Sequence, residues 1–187
     1  MDRQREIDRL GLSPRAVAEI AALVALSVVL SPLLSIPIGP FRAYPVQHLV
    51  NVLTAVRLGP GAAVLQAATA STLRLALGTG TIFAYPGSLF GAWLAGVLYR
   101  RFQHFVAAAF GEAIGTGFVG ATVAYGLGRL IASREVALLG FVGPFLLSSV
   151  LGAAGGVVLL LALRRTGLLG GEKLSRFDAA PPPGADE

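Results

Sequence analysis

The chain has 187 residues, 55% hydrophobic and only 13% charged, with a mean hydropathy of +0.73, whereas a soluble domain carries about 25% charge. That composition excludes an ordinary soluble domain and predicts an integral membrane protein, all α-helical. There is no cysteine, so disulfides, thiol catalysis and thiolate metal sites are excluded as well.

Residues 1–15 read as a basic arm with Arg3, Arg5, Arg9 and Arg15. The first apolar run, Ala16 to Leu34, follows basic residues as a secretory signal would. Its preceding arm is long and mixed in charge, and the run ends in Ser31-Pro32-Leu33-Leu34 without an A-x-A-like site, which predicts a retained helix. Ala18, Ala21, Ala22 and Ala25 give it two interleaved A-x-x-x-A spacings, a pattern that lets helices approach closely in lipid. Alanine is also simply common in such helices.

A proline-rigid aromatic loop, Phe41-Arg42-Ala43-Tyr44-Pro45, leads into the second run, Val46 to Leu58. On a helix, Gln47, His48 and Asn51 fall within a sector of roughly 100°, because positions i, i+3 and i+4 share a face. In a membrane such a stripe must face protein or a wet cavity, which predicts an enclosed ligand site below the outer rim. The three uncharged groups both donate and accept, matching a neutral heteroaromatic alcohol, whereas a phosphate ester calls for an arginine cluster.

The third run, Gly61 to Leu77, carries Arg74 near its outer end. Snorkelling to the interface and pairing with a loop carbonyl or the ligand are both open to it. Next, Leu77-Gly78-Thr79-Gly80-Thr81 suits either a nest of backbone amides offering Thr79 and Thr81 to a ligand or a tight helix-ending turn. Phe41, Tyr44, Phe83 and Tyr85 flank the two outward loops as a lid or an interfacial aromatic belt.

The fourth run, Ser88 to Tyr99, is short, and the fifth, Phe105 to Ile131, holds the deep carboxylate Glu112. Counting ~1.5 Å per residue puts Glu112 about 10 Å from the inner edge and Asn51 about 8 Å from the outer edge of a ~30 Å core, so the two need not meet. Glu112 is then a functional candidate in its own right or a partner of Arg57. The sixth run spans Leu138 to Leu163. Gly111, Gly115 and Gly117 on the fifth run are expected to pack against Ser148, Gly152 and Gly156 on the sixth. Ser148, Ser149 and Thr116 either reach the cavity or bond the i−4 carbonyl. Beyond residue 165 a tail, residues 166–187, ends in a Pro-rich stretch expected to be disordered.

Placing the N-terminus inside puts eleven of the fifteen Lys and Arg residues at cytoplasmic ends and leaves Arg42, Arg74, Arg129 and Arg134 toward the outside, as cytoplasmic enrichment of cations requires. The result is a six-helix bundle over residues 16–165, multi-pass in the cytoplasmic membrane, with both termini in the cytoplasm. Its formal charge of +5 needs no nucleic acid to explain it. No P-loop, H-E-x-x-H or G-x-S-x-G is present, so ATP-driven work needs a partner and hydrolytic chemistry has no basis. No cofactor is expected. A stand-alone proton-coupled carrier or intramembrane enzyme using Glu112 and His48 is the alternative.

In order, the A-x-x-x-A first helix, Ile36-Pro37-Ile38-Gly39-Pro40, Tyr44-Pro45-Val46-Gln47-His48-Leu49-Val50-Asn51-Val52-Leu53, Leu77-Gly78-Thr79-Gly80-Thr81, Tyr85-Pro86-Gly87-Ser88 and Gly111-Glu112-Ala113-Ile114-Gly115-Thr116-Gly117 make a chain that resembles the ThiW family, over roughly Ala16 to Leu163. That family comprises substrate-binding S components of energy-coupling factor (ECF) transporters. The resemblance implies uptake of hydroxyethylthiazole, the thiazole precursor of thiamine, by a non-catalytic subunit that docks on a transmembrane coupling protein and two ABC-type ATPases. It implies six helices with both termini inside, capture from outside and toppling to release. It also assigns the alanine face of the first helix to the coupling protein.

Overall fold

The computed structural model describes residues 13–38, 41–132 and 138–166. Arg3, Arg5, Arg9, Arg134, Gly39, Pro40 and the residues beyond 166 lie outside the described residues.

Helix α1, Pro14–Leu33, is capped by Ser13, whose hydroxyl accepts from the Ala16 N–H at 3.2 Å; proline in the first turn loses no hydrogen bond. A short antiparallel hairpin follows, β1 Ile36–Ile38 against β2 Phe41–Ala43, with Ile36 opposite Ala43. Helix α2, Pro45–Leu58, ends at Gly59 with φ 87°, and Pro60 at once starts α3, Pro60–Ala76. The left-handed backbone at Gly59 turns the chain between two helices without a linker.

Helix α4 runs Ala84–Phe102, longer at both ends than the apolar run Ser88 to Tyr99. Its first turn tolerates Pro86, and its last turn carries Arg100 and Arg101, where cations oppose the negative end of the helix dipole. Helix α5, Phe105–Ile114, continues through a π-helical turn, Gly115–Gly120, into α6, Ala121–Ala132. Helix α7, Leu138–Arg165, completes the bundle. Among the described residues, three helical segments are long and apolar enough to cross a membrane: Pro14–Leu33, Phe105–Ile131 and Gly140–Arg165. Outward-facing apolar side chains such as Leu130, Val158, Phe110 and Trp93 are exposed, as a lipid-contacting surface would be.

The centre is α2, which packs against α1, α3, α4, α5 and α7. Nearly every residue from Val46 to Val56 is buried, so its polar stripe is enclosed in protein. Two helix pairs meet backbone to backbone at glycines. A Cβ added at Gly111 would lie 2.6 Å from the Leu94 carbonyl oxygen, at Gly115 2.5 Å from that of Phe90, and at Gly120 2.6 Å from that of Pro86. This face of α5 and the π-helical turn therefore packs on α4. Gly152 and Gly156 of α7 lie against α2, where added Cβ atoms would meet His48 and Val52. The expected packing of the two glycine faces on each other is thus corrected, except at Gly117, which faces Leu146 of α7. Small residues permit close approach without naming the partner: α5 and the π-helical turn also pack on α7, but Gly111 and Gly115 turn toward α4 and Gly152 and Gly156 toward α2.

Candidate functional site: a cavity beneath the hairpin

A cavity of about 450 Å³ lies where the hairpin, the α3–α4 loop and five helical segments converge, within the usual range for small-molecule sites. Phe41 and Arg42 of β2, Tyr44, Gln47 and His48 at the start of α2, and Arg74 near the end of α3 form one side. Thr81 and Phe83 before α4, Ala84, Gly87 and Ser88 in its first turns, Thr116 of the π-helical turn, and Gly140, Phe141, Pro144, Phe145 and Ser148 of α7 form the rest.

Part of its wall is aromatic. Phe141 sits 6.0 Å from Phe41, 5.1 Å from Phe83 and 6.1 Å from Phe145 between ring centroids, joining hairpin, loop and α7 by tilted and edge contacts. Pro144 supplies no N–H to the Gly140 carbonyl one turn earlier, and both residues line the cavity. The Ser148 hydroxyl donates to the Pro144 carbonyl at 2.7 Å and accepts from the Tyr44 N–H at 3.0 Å. It therefore serves its own helix and also ties the entry of α2 to α7. Ser149 bonds the Leu146 carbonyl.

Arg74 is 0% exposed. It donates to Gln47 Oε1 and, at 3.1 Å, to the Thr79 carbonyl, while its guanidinium lies 4.2 Å from the Tyr44 ring centroid. The side chain is held inward by a loop carbonyl and an aromatic face and does not snorkel. Thr79 and Gly80 both direct their N–H groups at the Arg74 carbonyl, and Gly78 adopts φ 69°. The loop is thus a helix-ending turn whose Thr79 and Gly80 amides are already engaged, and the nest alternative is corrected. Thr79 does not line the cavity, whereas Thr81 sits at its rim. Tyr85 points elsewhere, its hydroxyl donating to Thr72 Oγ1 at 2.8 Å.

Beneath the cavity lies a buried polar node. Glu112 Oε1 is 2.6 Å from His48 Nδ1, accepts from Asn51 Nδ2 at 2.9 Å, and is 3.2 Å from the Thr116 hydroxyl. Asn51 also donates to the Ser88 hydroxyl at 3.1 Å, and Thr116 donates to the Gly87 carbonyl at 2.7 Å. The separation expected between Glu112 and Asn51 is therefore wrong. So is the pairing of Glu112 with Arg57, which bonds Glu19 of α1 instead. Close approach of α4 and α5 makes the node possible: a Cβ added at Gly91 would stand 2.7 Å from Glu112 Oε1.

Of the residues singled out from sequence, Phe41, Tyr44, Gln47, His48, Arg74 and Thr81 meet at the cavity wall. Asn51 and Glu112 stand one layer behind it, linked through His48, and Thr79 and Tyr85 do neither. Phe141 and Phe145 went unnoticed because a phenylalanine in an apolar run reads the same whether it faces lipid or a cavity. On the far side of α1, Ala18, Ala21, Ala22 and Ala25 are all exposed, leaving the small-residue face open.

A family model described as thiamine-precursor transporter protein (ThiW) matches residues 17–166. Searches of curated proteins and of solved structures give no match.

Proposed function

Since the chain belongs to the ThiW family of thiamine-precursor transporter proteins, we propose that it is the substrate-binding S component of an ECF-type transporter, capturing hydroxyethylthiazole at the cavity beneath the hairpin. It is a membrane transport protein rather than an enzyme. In this reading a six-span domain, residues 16–165, sits in the cytoplasmic membrane. Both the basic arm, residues 1–15, and the tail, residues 166–187, lie in the cytoplasm. Two ABC-type ATPases act through a transmembrane coupling protein.

The observation that carries the reading is the cavity, with aromatic rings and imidazole, amide and hydroxyl groups on its wall. A ligand of ~9 heavy atoms, at a ceiling of about 1.5 kcal/mol per atom, can reach nanomolar affinity if enclosed. Titration calorimetry of the detergent-solubilised protein with hydroxyethylthiazole, thiamine and the pyrimidine precursor tests it. Binding of the thiazole is the expected result, and failure of all three ends the reading. His48→Ala and Asn51→Ala are expected to weaken thiazole binding by about tenfold or more, the first by removing a wall group and the second by loosening Glu112 beneath it.

The open alanine face supports a docking role for α1. Ala22→Leu is expected to leave ligand affinity within about twofold while abolishing co-purification with the coupling protein. Loss of both together would mean that the face serves the fold instead.

The buried Glu112–His48 contact favours one other reading, a proton-coupled carrier. That reading predicts uptake into liposomes without ATPases and its loss in Glu112→Gln. Absence of uptake by the lone protein favours the S component.

A further inference from the structure

We propose that the cavity is electropositive and selects by charge, with Arg74 as the residue that sets its specificity: it admits neutral or anionic ligands and refuses cations. Its wall contains two arginines, Arg42 and Arg74, and no aspartate or glutamate. Arg74 is 0% exposed, and none of the groups holding it carries a negative charge: Gln47 Oε1, the Thr79 carbonyl and the Tyr44 ring. Its Nε is buried without an acceptor. Among the described residues no carboxylate lies within ion-pair distance of it.

The nearest candidate to balance that charge, Glu112, sits behind the wall and is engaged by His48. Its Oε1 is turned to His48 and Asn51, so it makes no direct pair with the guanidinium. Nor can Arg74 swing out to water, because the Thr79 carbonyl and Tyr44 hold it. A low-dielectric chamber concentrates the field of such a fixed charge. A ligand cation about 6 Å from it, at an effective dielectric near 20, should bind about 100-fold more weakly than its neutral counterpart. The guanidinium already occupies a face of the Tyr44 ring, which is thereby closed to a ligand cation.

Read together with the proposed transport role, on which the ligand's identity rests, this sorts the thiamine-related molecules. The free thiazole is uncharged and enters. Thiamine, whose thiazolium nitrogen is quaternary, is shut out. The chain would then serve a cell that builds the vitamin from its parts.

The absence of native cysteine permits a test that needs no ligand. In Thr81→Cys, at the rim of the cavity, the rates of modification by an anionic and a cationic methanethiosulfonate are measured and normalised to a free thiol in solution. The anionic reagent is expected to be favoured at least tenfold, with the bias kept in Arg74→Lys and lost in Arg74→Gln. If Arg74→Gln does not fold, the bias in the Thr81→Cys single variant decides alone. A normalised ratio near one overturns the proposal. Calorimetry then compares hydroxyethylthiazole with its N-methyl thiazolium, and a preference of about 100-fold for the neutral form is expected. Equal affinities overturn the selectivity and leave the transport reading standing. If neither binds while the reagent bias persists, the transport reading falls and the electropositive chamber stands.

Discussion

Glu112→Ala is expected to abolish detectable ligand binding and to lower the thermal midpoint of the solubilised protein more than any other single truncation at the site. Its Oε1 joins His48 and Asn51 of α2 and lies beside the Thr116 hydroxyl of the π-helical turn, so removal leaves His48 and Asn51 facing a void in a water-poor interior. Breaking a buried charged contact from one side costs about 3–5 kcal/mol. Wall geometry is lost with it, because His48 is the link between this node and the cavity. Glu112→Gln keeps one carbonyl for the donors and adds an amide N–H₂ in place of Oε2, which has no hydrogen-bond partner. It should therefore fall between the native protein and Glu112→Ala in both measurements. Unfolding and affinity left unchanged by Glu112→Ala would show that the node supports neither.

Gly152→Val is the second large effect. A Cβ at this position would meet the Pro45 carbonyl and come within 2.8 Å of His48 Cβ and 3.0 Å of the Leu49 nitrogen. These are backbone and near-backbone atoms of the first turns of α2, with no flexible side-chain end to give way. Relief requires that turn to move off α7, and it carries Gln47 and His48. Overpacking of this kind costs about 1–3 kcal/mol, and a misplacement near 1 Å can forfeit about 100-fold in a site that depends on alignment. Thermal unfolding and calorimetry on Gly152→Val should thus show affinity lost out of proportion to stability. Gly126→Ala is the matched control, since nothing lies within 4 Å of the added Cβ; it should change neither. Retained affinity in Gly152→Val would mean that α2 tolerates displacement.

The polar stripe on the second run was legible because helical periodicity alone puts Gln47, His48 and Asn51 on one face, and the composition allows that face only an enclosed setting. Arg74 was half legible: its depth was readable, but inward or outward orientation depended on Thr79 and Tyr44, whose positions depend on tertiary structure. The meeting of Glu112 with Asn51 is hidden from the sequence for a definite reason. Depths taken from opposite edges of a full ~30 Å core separate the two, whereas α2 has 14 residues and is only ~21 Å long. Within that shorter span, a point ~10 Å from one end and another ~8 Å from the other are nearly level. Glycines told of close helix contact, but the choice of α4 over α7 as partner for Gly111 and Gly115 depended on three-dimensional topology that spacing does not encode.

The π-helical turn at Gly115–Gly120 has a bearing on how chains of this kind can vary. Such a turn holds one residue more than the α-helical repeat on either side, so the rod beyond it is rotated by about 100° relative to an uninterrupted helix. No single wheel drawn from Phe105 to Ile131 can superpose the two halves. A one-residue deletion within this stretch would be absorbed as a change of phase: the rod would stay continuous while every side chain of α6 swung to a new azimuth. Alignments that place a gap here would be recording rotation, and the face that α6 shows its neighbours would differ between chains of equal hydropathy.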